Sequence, residues 1–135
     1  MNPTALDDFA NRYAEAWCSK NSDNVAAFFT EEGSLSVNDG EPAVGRKSIA
    51  EVAQGFMTDF PDMVVAKDKL VHKSNGTEFH WTLTGTNTGP GGTGNRVRFS
   101  GYEEWQISAD GLIAESKGHF DNAEYEYQLE HVVSD

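Results

Sequence analysis

Phe60-Pro61-Asp62-Met63-Val64-Val65-Ala66 is the stretch where the chain changes its period. Before it, Ile49, Val52, Ala53, Phe56 and Phe60 recur at spacings of three and four, the mark of one buried helical face from about Lys47 to Phe60. Pro61 ends that helix, because the residue before a proline is pushed out of the α region. After it the apolar residues alternate. Strands are expected near Val64–Lys73, Thr77–Thr88, Arg96–Ser108 and Leu112–Phe120. Asn75-Gly76 and Asp110-Gly111 supply hairpin turns, since these residues tolerate positive φ. The longer break Gly89-Pro90-Gly91-Gly92-Thr93-Gly94-Asn95 precedes no helix and reads as a solvated hairpin tip rather than a phosphate cradle.

Upstream, Leu6, Phe9, Ala10, Tyr13 and Trp17 form one stripe of a first helix, which Thr4 is placed to cap. A second, shorter helix starts near Asp23, carries Val25, Phe28 and Phe29, and stops at Gly33. A short strand about Leu35 and Val37 follows, broken by Asp39-Gly40-Glu41-Pro42. The tail Ala123–Val133 reads either as a final helical turn or as a strand extension. Helices followed by a run of long strands define an α+β fold, three N-terminal helices packed on one face of a curved antiparallel sheet.

Composition narrows the function. The chain has 135 residues, one domain's worth, with 38% hydrophobic and 11% aromatic residues, enough for a packed core. Ten Lys and Arg stand against 22 Asp and Glu, a formal charge of −12. With no basic run, binding to nucleic acid or to an anionic membrane is not expected. No apolar stretch reaches the roughly 20 residues of a membrane span, and the first residues lack a secretory pattern, so a cytoplasmic protein is expected. Cys18 is the single cysteine, and His72, His80, His119 and His131 show no metal-ligand spacing, so neither a metal nor another cofactor is expected.

Three strings then acquire meaning together: Gly45-Arg46 through Phe60-Pro61-Asp62, Trp81-Thr82-Leu83-Thr84-Gly85-Thr86-Asn87-Thr88-Gly89, and Asp110-Gly111-Leu112-Ile113-Ala114-Glu115 with Asp121 beyond. Their order and spacing resemble the nuclear-transport-factor-2-like fold, and within it the SnoaL-like polyketide cyclase and ketosteroid-isomerase-like branch. The resemblance covers nearly the whole chain. It implies a cone-shaped α+β barrel around a pocket, commonly a homodimer through the outer sheet face, with a small apolar or aromatic organic ligand. Such a scaffold hosts cyclases and isomerases that work by proton transfer, and also non-catalytic binding or dimerisation modules.

Glu103 is the anomaly that the residues themselves present. It shares a strand face with Val97, Phe99, Gly101, Trp105 and Ile107, and a carboxylate among core residues must be paired, protonated or useful. It is a pocket acid/base, a group at a strand end curling into solvent, or half of a salt bridge to a neighbouring strand. Asp121 matches the acid/base aspartate that the resemblance implies; its other reading is the cap of a tail helix. The next strand offers two faces. The resemblance places Ile113, Glu115, Lys117, His119 and Asp121 in the pocket, whereas hydrophobicity favours Leu112, Ala114, Ser116, Gly118 and Phe120. In the first register His119 joins Asp121 and Glu103 as a catalytic group and Lys117 contacts ligand. Trp81, Trp105, Phe56, Tyr13 and Trp17 are the aromatic residues expected against the ligand; Tyr102 is a further candidate, although it falls on the opposite strand face. The outer face would carry Glu78, His80, Thr82 and Thr84 beside Arg98, Ser100, Tyr102, Glu104 and Gln106.

Overall fold

The computed structural model describes residues 2–131. Helix α1 (Pro3–Cys18) buries Leu6, Phe9, Ala10, Tyr13 and Trp17, the stripe expected from their spacing. It is capped by Asn2 and not by Thr4: the Asn2 side chain accepts the Ala5 N–H at 2.8 Å, and Pro3 fills the first helical position. Proline has no N–H to leave unpaired there, so the helix begins two residues earlier than a Thr4 cap would allow.

The second helix, α2 (Ser22–Ala26), is shorter than expected, and Phe29 already belongs to strand β1 (Phe29–Val37). Sheet pairing takes over at this point, with the Phe28 carbonyl accepting the Ile113 N–H at 2.9 Å. Thr30, Glu31, Glu32 and Gly33 contain no apolar residue, so alternation alone revealed only the Leu35–Val37 end of β1. The two-residue β2 (Ala43–Val44) pairs with β1, and α3 (Arg46–Asp59) follows.

Strands β3 (Val64–Lys73), β4 (Gly76–Thr86), β5 (Arg96–Ile107) and β6 (Ile113–Phe120) form the expected antiparallel meander. The sheet as a whole is mixed. Its six strands run β2-β1-β6-β5-β4-β3, and β1 joins the far edge of the meander parallel to β6. The architecture is α+β, with α1 and α3 on one sheet face. Tyr13 meets Phe79 and Trp105 edge-on at 5.3 and 5.2 Å, and Trp17 meets Phe56 of α3 at 6.1 Å.

The glycine-rich loop between β4 and β5 is tied down by a buried Asn87. Its amide nitrogen donates to the Asp59 carbonyl at 3.1 Å and its oxygen accepts the Thr93 N–H at 2.9 Å. The tail resolves as helix α4 (Asn122–Glu130), fixed to β5 by the Gln128 oxygen, which accepts the Arg98 N–H at 2.6 Å. Val132 and Val133 of the expected tail element lie outside the described residues. No helix among the described residues is long and apolar enough to cross a membrane.

A bulge settles the two-faced strand. The β5–β6 register shifts between Gln106 and Ile107, so that Ile113 lies opposite Ile107 while Glu115 lies opposite Gln106. One extra residue resets the alternation. Ile113 therefore points inward, and beyond the bulge the inward set is Ser116, Gly118 and Phe120, the register hydrophobicity favoured. Lys117 is exposed and His119 half-buried on the other face, because an inward Lys117 would have to shed its hydration while Phe120 remained in water.

Candidate functional site

Between the sheet and the helices lies a cavity of about 60 Å³. Trp17 reaches it from α1, Leu35 and Val37 from β1, Val52 and Phe56 from α3, and Val65 from β3. The meander adds Trp81, Leu83, Phe99, Glu103, Gly118 and Phe120. Val37, Val52, Phe56, Trp81 and Phe120 are only half-buried and mark its solvent side. The remaining wall is apolar and enclosed.

Glu103 is the one ionisable side chain in that wall, and 6% of its surface is exposed. Three donors from three elements converge on its Oε1: the Ser116 hydroxyl of β6 at 2.7 Å, the Tyr13 hydroxyl of α1 at 2.9 Å and the Trp105 indole N–H of β5 at 3.1 Å. Oε2 accepts no hydrogen bond from the described residues and is not sealed from space, so it borders the cavity. Burial pushes the Glu103 pKa above its ordinary 4.5, and the hydrogen bonds from Ser116, Trp105 and Tyr13 oppose that rise without cancelling it.

Tyr13 is held protonated in turn. Its burial, and then the neighbouring Glu103 charge, raise its pKa well above 10.0, so it remains a donor at any physiological pH. The Trp17 indole N–H helps to offset that rise from beside the Tyr13 hydroxyl, but it lacks the geometry of a hydrogen bond. Trp17 Nε1 is accordingly the one fully buried side-chain polar atom without a partner among the described residues.

Several residues expected at the site lie elsewhere. Asp121 is exposed and caps α4, its carboxylate accepting the Glu124 N–H at 3.0 Å. His119 lies on the outer sheet face, 2.7 Å from the Glu104 carboxylate, and Lys117 projects into solvent beside it. Tyr102 is on the same outer face, stacked on His80 at 5.2 Å and tilted against His119 at 4.9 Å. Lys117 and His119 follow from the bulge, beyond which the odd-numbered residues of β6 turn outward, whereas Tyr102 follows from the plain alternation of β5. Trp105 and Tyr13 stand behind Glu103 and hold it, while Trp17, Phe56 and Trp81 line the cavity itself. Ser116 was not singled out from sequence; its signal was its place in the apolar set of β6. Among the described residues no three His, Cys, Asp or Glu side chains converge as a metal site would require.

The SnoaL-like polyketide cyclase family model matches residues 7–129. The chain belongs to that family. Among solved structures similar to this SnoaL-like chain is a putative SnoaL-like polyketide cyclase from Jannaschia sp. CCS1, 15% identical, covering 98% of each chain with a TM-score of 0.83. A second is AclR, a putative hydroxylase from Streptomyces galilaeus, 18% identical, covering 98% of this chain and 89% of that one with a TM-score of 0.80. A third is a hypothetical protein of ketosteroid isomerase-like fold from Catenulispora acidiphila, solved with trimethylamine. It is 13% identical, covers 96% of this chain and 94% of that one, and has a TM-score of 0.78. No curated protein matches the chain. At these identities the neighbours establish the fold and leave the chemistry to the residues.

The raised Glu103 pKa carries a stability consequence. A carboxyl that resists ionisation when folded contributes fully below pH 4.5, and that contribution is lost as pH rises toward its folded pKa. Glu103→Gln retains the three hydrogen bonds to Oε1 but cannot ionise. Urea unfolding across pH is expected to show a constant difference between variant and wild type below pH 4.5, moving in favour of glutamine above it. A difference that stays flat to pH 8 would contradict the burial of a titrating carboxyl.

Proposed function

We propose that this chain binds a small, largely apolar carbonyl compound in the cavity and moves a proton on it, with Glu103 as acid and base. The observation that carries this reading is the one-sided hydrogen bonding of Glu103: Oε1 is held by three donors while Oε2 borders an otherwise apolar space. A desolvated carboxylate is a stronger base than one in water, and its partly raised pKa suits a group that must both take and return a proton. In the forward step Oε2 removes a proton from carbon next to the carbonyl, and the electron pair moves onto the carbonyl oxygen. Neutral Glu103 then returns the proton to another carbon, which is an isomerisation. Alternatively, the nucleophilic carbon attacks a second carbonyl carbon of the same molecule, that carbonyl's π pair moves onto its oxygen, and the oxygen takes the proton back from neutral Glu103, which closes a ring. Neither route consumes an oxidant or a cofactor. Family membership supports the cyclase or isomerase class; Asp121, on its cap, is assigned no part in the chemistry.

The outer sheet face supports pairing with a second copy. His80, Tyr102 and His119 form a stacked row there, and the acidic groups among them already have partners: Lys73 and His80 meet Glu78 at 2.7 and 3.0 Å, and His119 meets Glu104. A face with its charges matched internally suits a two-fold interface on a chain of net charge −12.

Deuterium exchange at the α-carbons of cyclohexanone, followed by proton NMR, tests the catalytic reading. Wild type is expected to catalyse exchange, Glu103→Gln to lose at least about a hundredfold of that rate, and Asp121→Asn to retain both rate and stability, since asparagine is also a good cap. Exchange that survives in Glu103→Gln, or vanishes in Asp121→Asn, overturns the assignment. For the interface, sedimentation should find a dimer that Tyr102→Arg dissociates, and a wild-type monomer at every protein and salt concentration would reject it.

A further inference from the structure

Only three residues lining the cavity carry polar side-chain atoms: Glu103, Trp17 and Trp81. Glu103 offers an oxygen. The Trp17 N–H is enclosed against Tyr13, away from open space. Trp81 differs from both. Its Nε1 makes no hydrogen bond to the described residues, yet it is not among the fully buried polar atoms, and its indole is half-buried at the cavity wall.

The sheet register explains why this ring lies where it does. Trp81 pairs with Gly101 and Phe79 with Glu103, so Trp81 and Glu103 are diagonal neighbours on the inner face of β4 and β5. Cβ atoms at such positions stand about 7–8 Å apart or somewhat less. Gly101 supplies the room for the indole: a Cβ there would fall 2.6 Å from Trp81 Cζ2 and would also strike the His119 carbonyl. Phe99 and Phe120 hold the ring at 5.6 and 6.1 Å.

We infer that the Trp81 indole N–H is the hydrogen-bond donor that holds the ligand's carbonyl oxygen, and that the ligand portion inside the cavity is a single-ring ketone or enone. This rests on the reading of Glu103 as the proton acceptor. A donor and a free carboxylate oxygen on neighbouring strands of one cavity wall match a molecule with a carbonyl oxygen and an acidic C–H beside it. The donor is also placed to stabilise the negative charge that develops on that oxygen as the proton leaves. Size follows from volume. At about 10–15 Å³ per water, a cavity of about 60 Å³ holds about four to six waters, the space of one six-membered ring.

Trp81→Phe removes the N–H and keeps an aromatic ring, and cyclohexanone with its hydrocarbon isostere methylenecyclohexane separates polarity from packing. Calorimetric titration is expected to show wild type preferring the ketone and Trp81→Phe binding it about tenfold more weakly, the range of one neutral hydrogen bond, with hydrocarbon affinity unchanged. In wild-type protein labelled with ¹⁵N-tryptophan, the Trp81 indole proton resonance should move downfield with the ketone and not with the hydrocarbon. That second measurement needs no folded variant. Equal affinities of wild type for the two probes, equal losses in Trp81→Phe, or an indole resonance indifferent to the ketone overturn the assignment. If any of these occurs while wild type still exchanges the ketone's α-protons, Glu103 keeps its role and Trp81 loses its own. Absence of exchange in wild type overturns the Glu103 reading, and this inference with it.

Discussion

A carboxyl group buried in an apolar wall is the constraint around which this fold is arranged. Isolated, such a charge would cost several kcal/mol, and the chain answers it with three donors drawn from distant parts of the sequence. Tyr13 comes from the first helix, Trp105 from the same strand two residues on, and Ser116 from the strand beside it. Their placement depends on α1 lying across β4 and β5, and on the bulge that turns Ser116 inward. The helix, the strand pairing and the register of β6 are thereby tied to one oxygen atom. The other oxygen is left facing space, and a structural salt bridge would have no reason to leave it so.

Much of this was legible in the sequence. The change of period at Pro61 marked the boundary between α3 and the meander, and all four long strands lie within two residues of where alternation placed them. Glu103 stood out as a carboxylate in a run of core residues, and it lines the cavity. What the sequence concealed has definable causes. Strand β1 begins with a polar segment, Thr30 to Gly33, that carries no alternation, and its parallel pairing with β6 is a long-range choice no local pattern encodes. The bulge in β6 was the costlier omission. One inserted residue inverts every later side chain, so Lys117, His119 and Asp121, grouped by resemblance into the pocket, stand outside it.

The position of Asp121 illustrates how a family pattern and a local rule can compete for one residue. An aspartate one step before a helical tail is a favoured cap, and the Glu124 N–H takes it up. Once capping, it is turned along the new helix and away from the cavity. A proton-transfer site on this scaffold must then draw its carboxylate from another strand, and Glu103 is already there. On the proposed reading, the fold keeps its pocket while Glu103 takes the proton-transfer part that the family resemblance gave to Asp121.

Glu103 presents a carboxyl whose ionisation is disfavoured by burial and of which only Oε2 borders the cavity. Carbon-13 NMR of side-chain carboxyls in protein labelled at glutamate measures this directly, the Glu103 signal being the one that Glu103→Gln removes. The predicted result is a titration midpoint above 4.5, displaced further upward when cyclohexanone occupies the cavity and excludes water. A Glu103 signal that titrates at 4.5 or below, indifferent to the ketone, would contradict it.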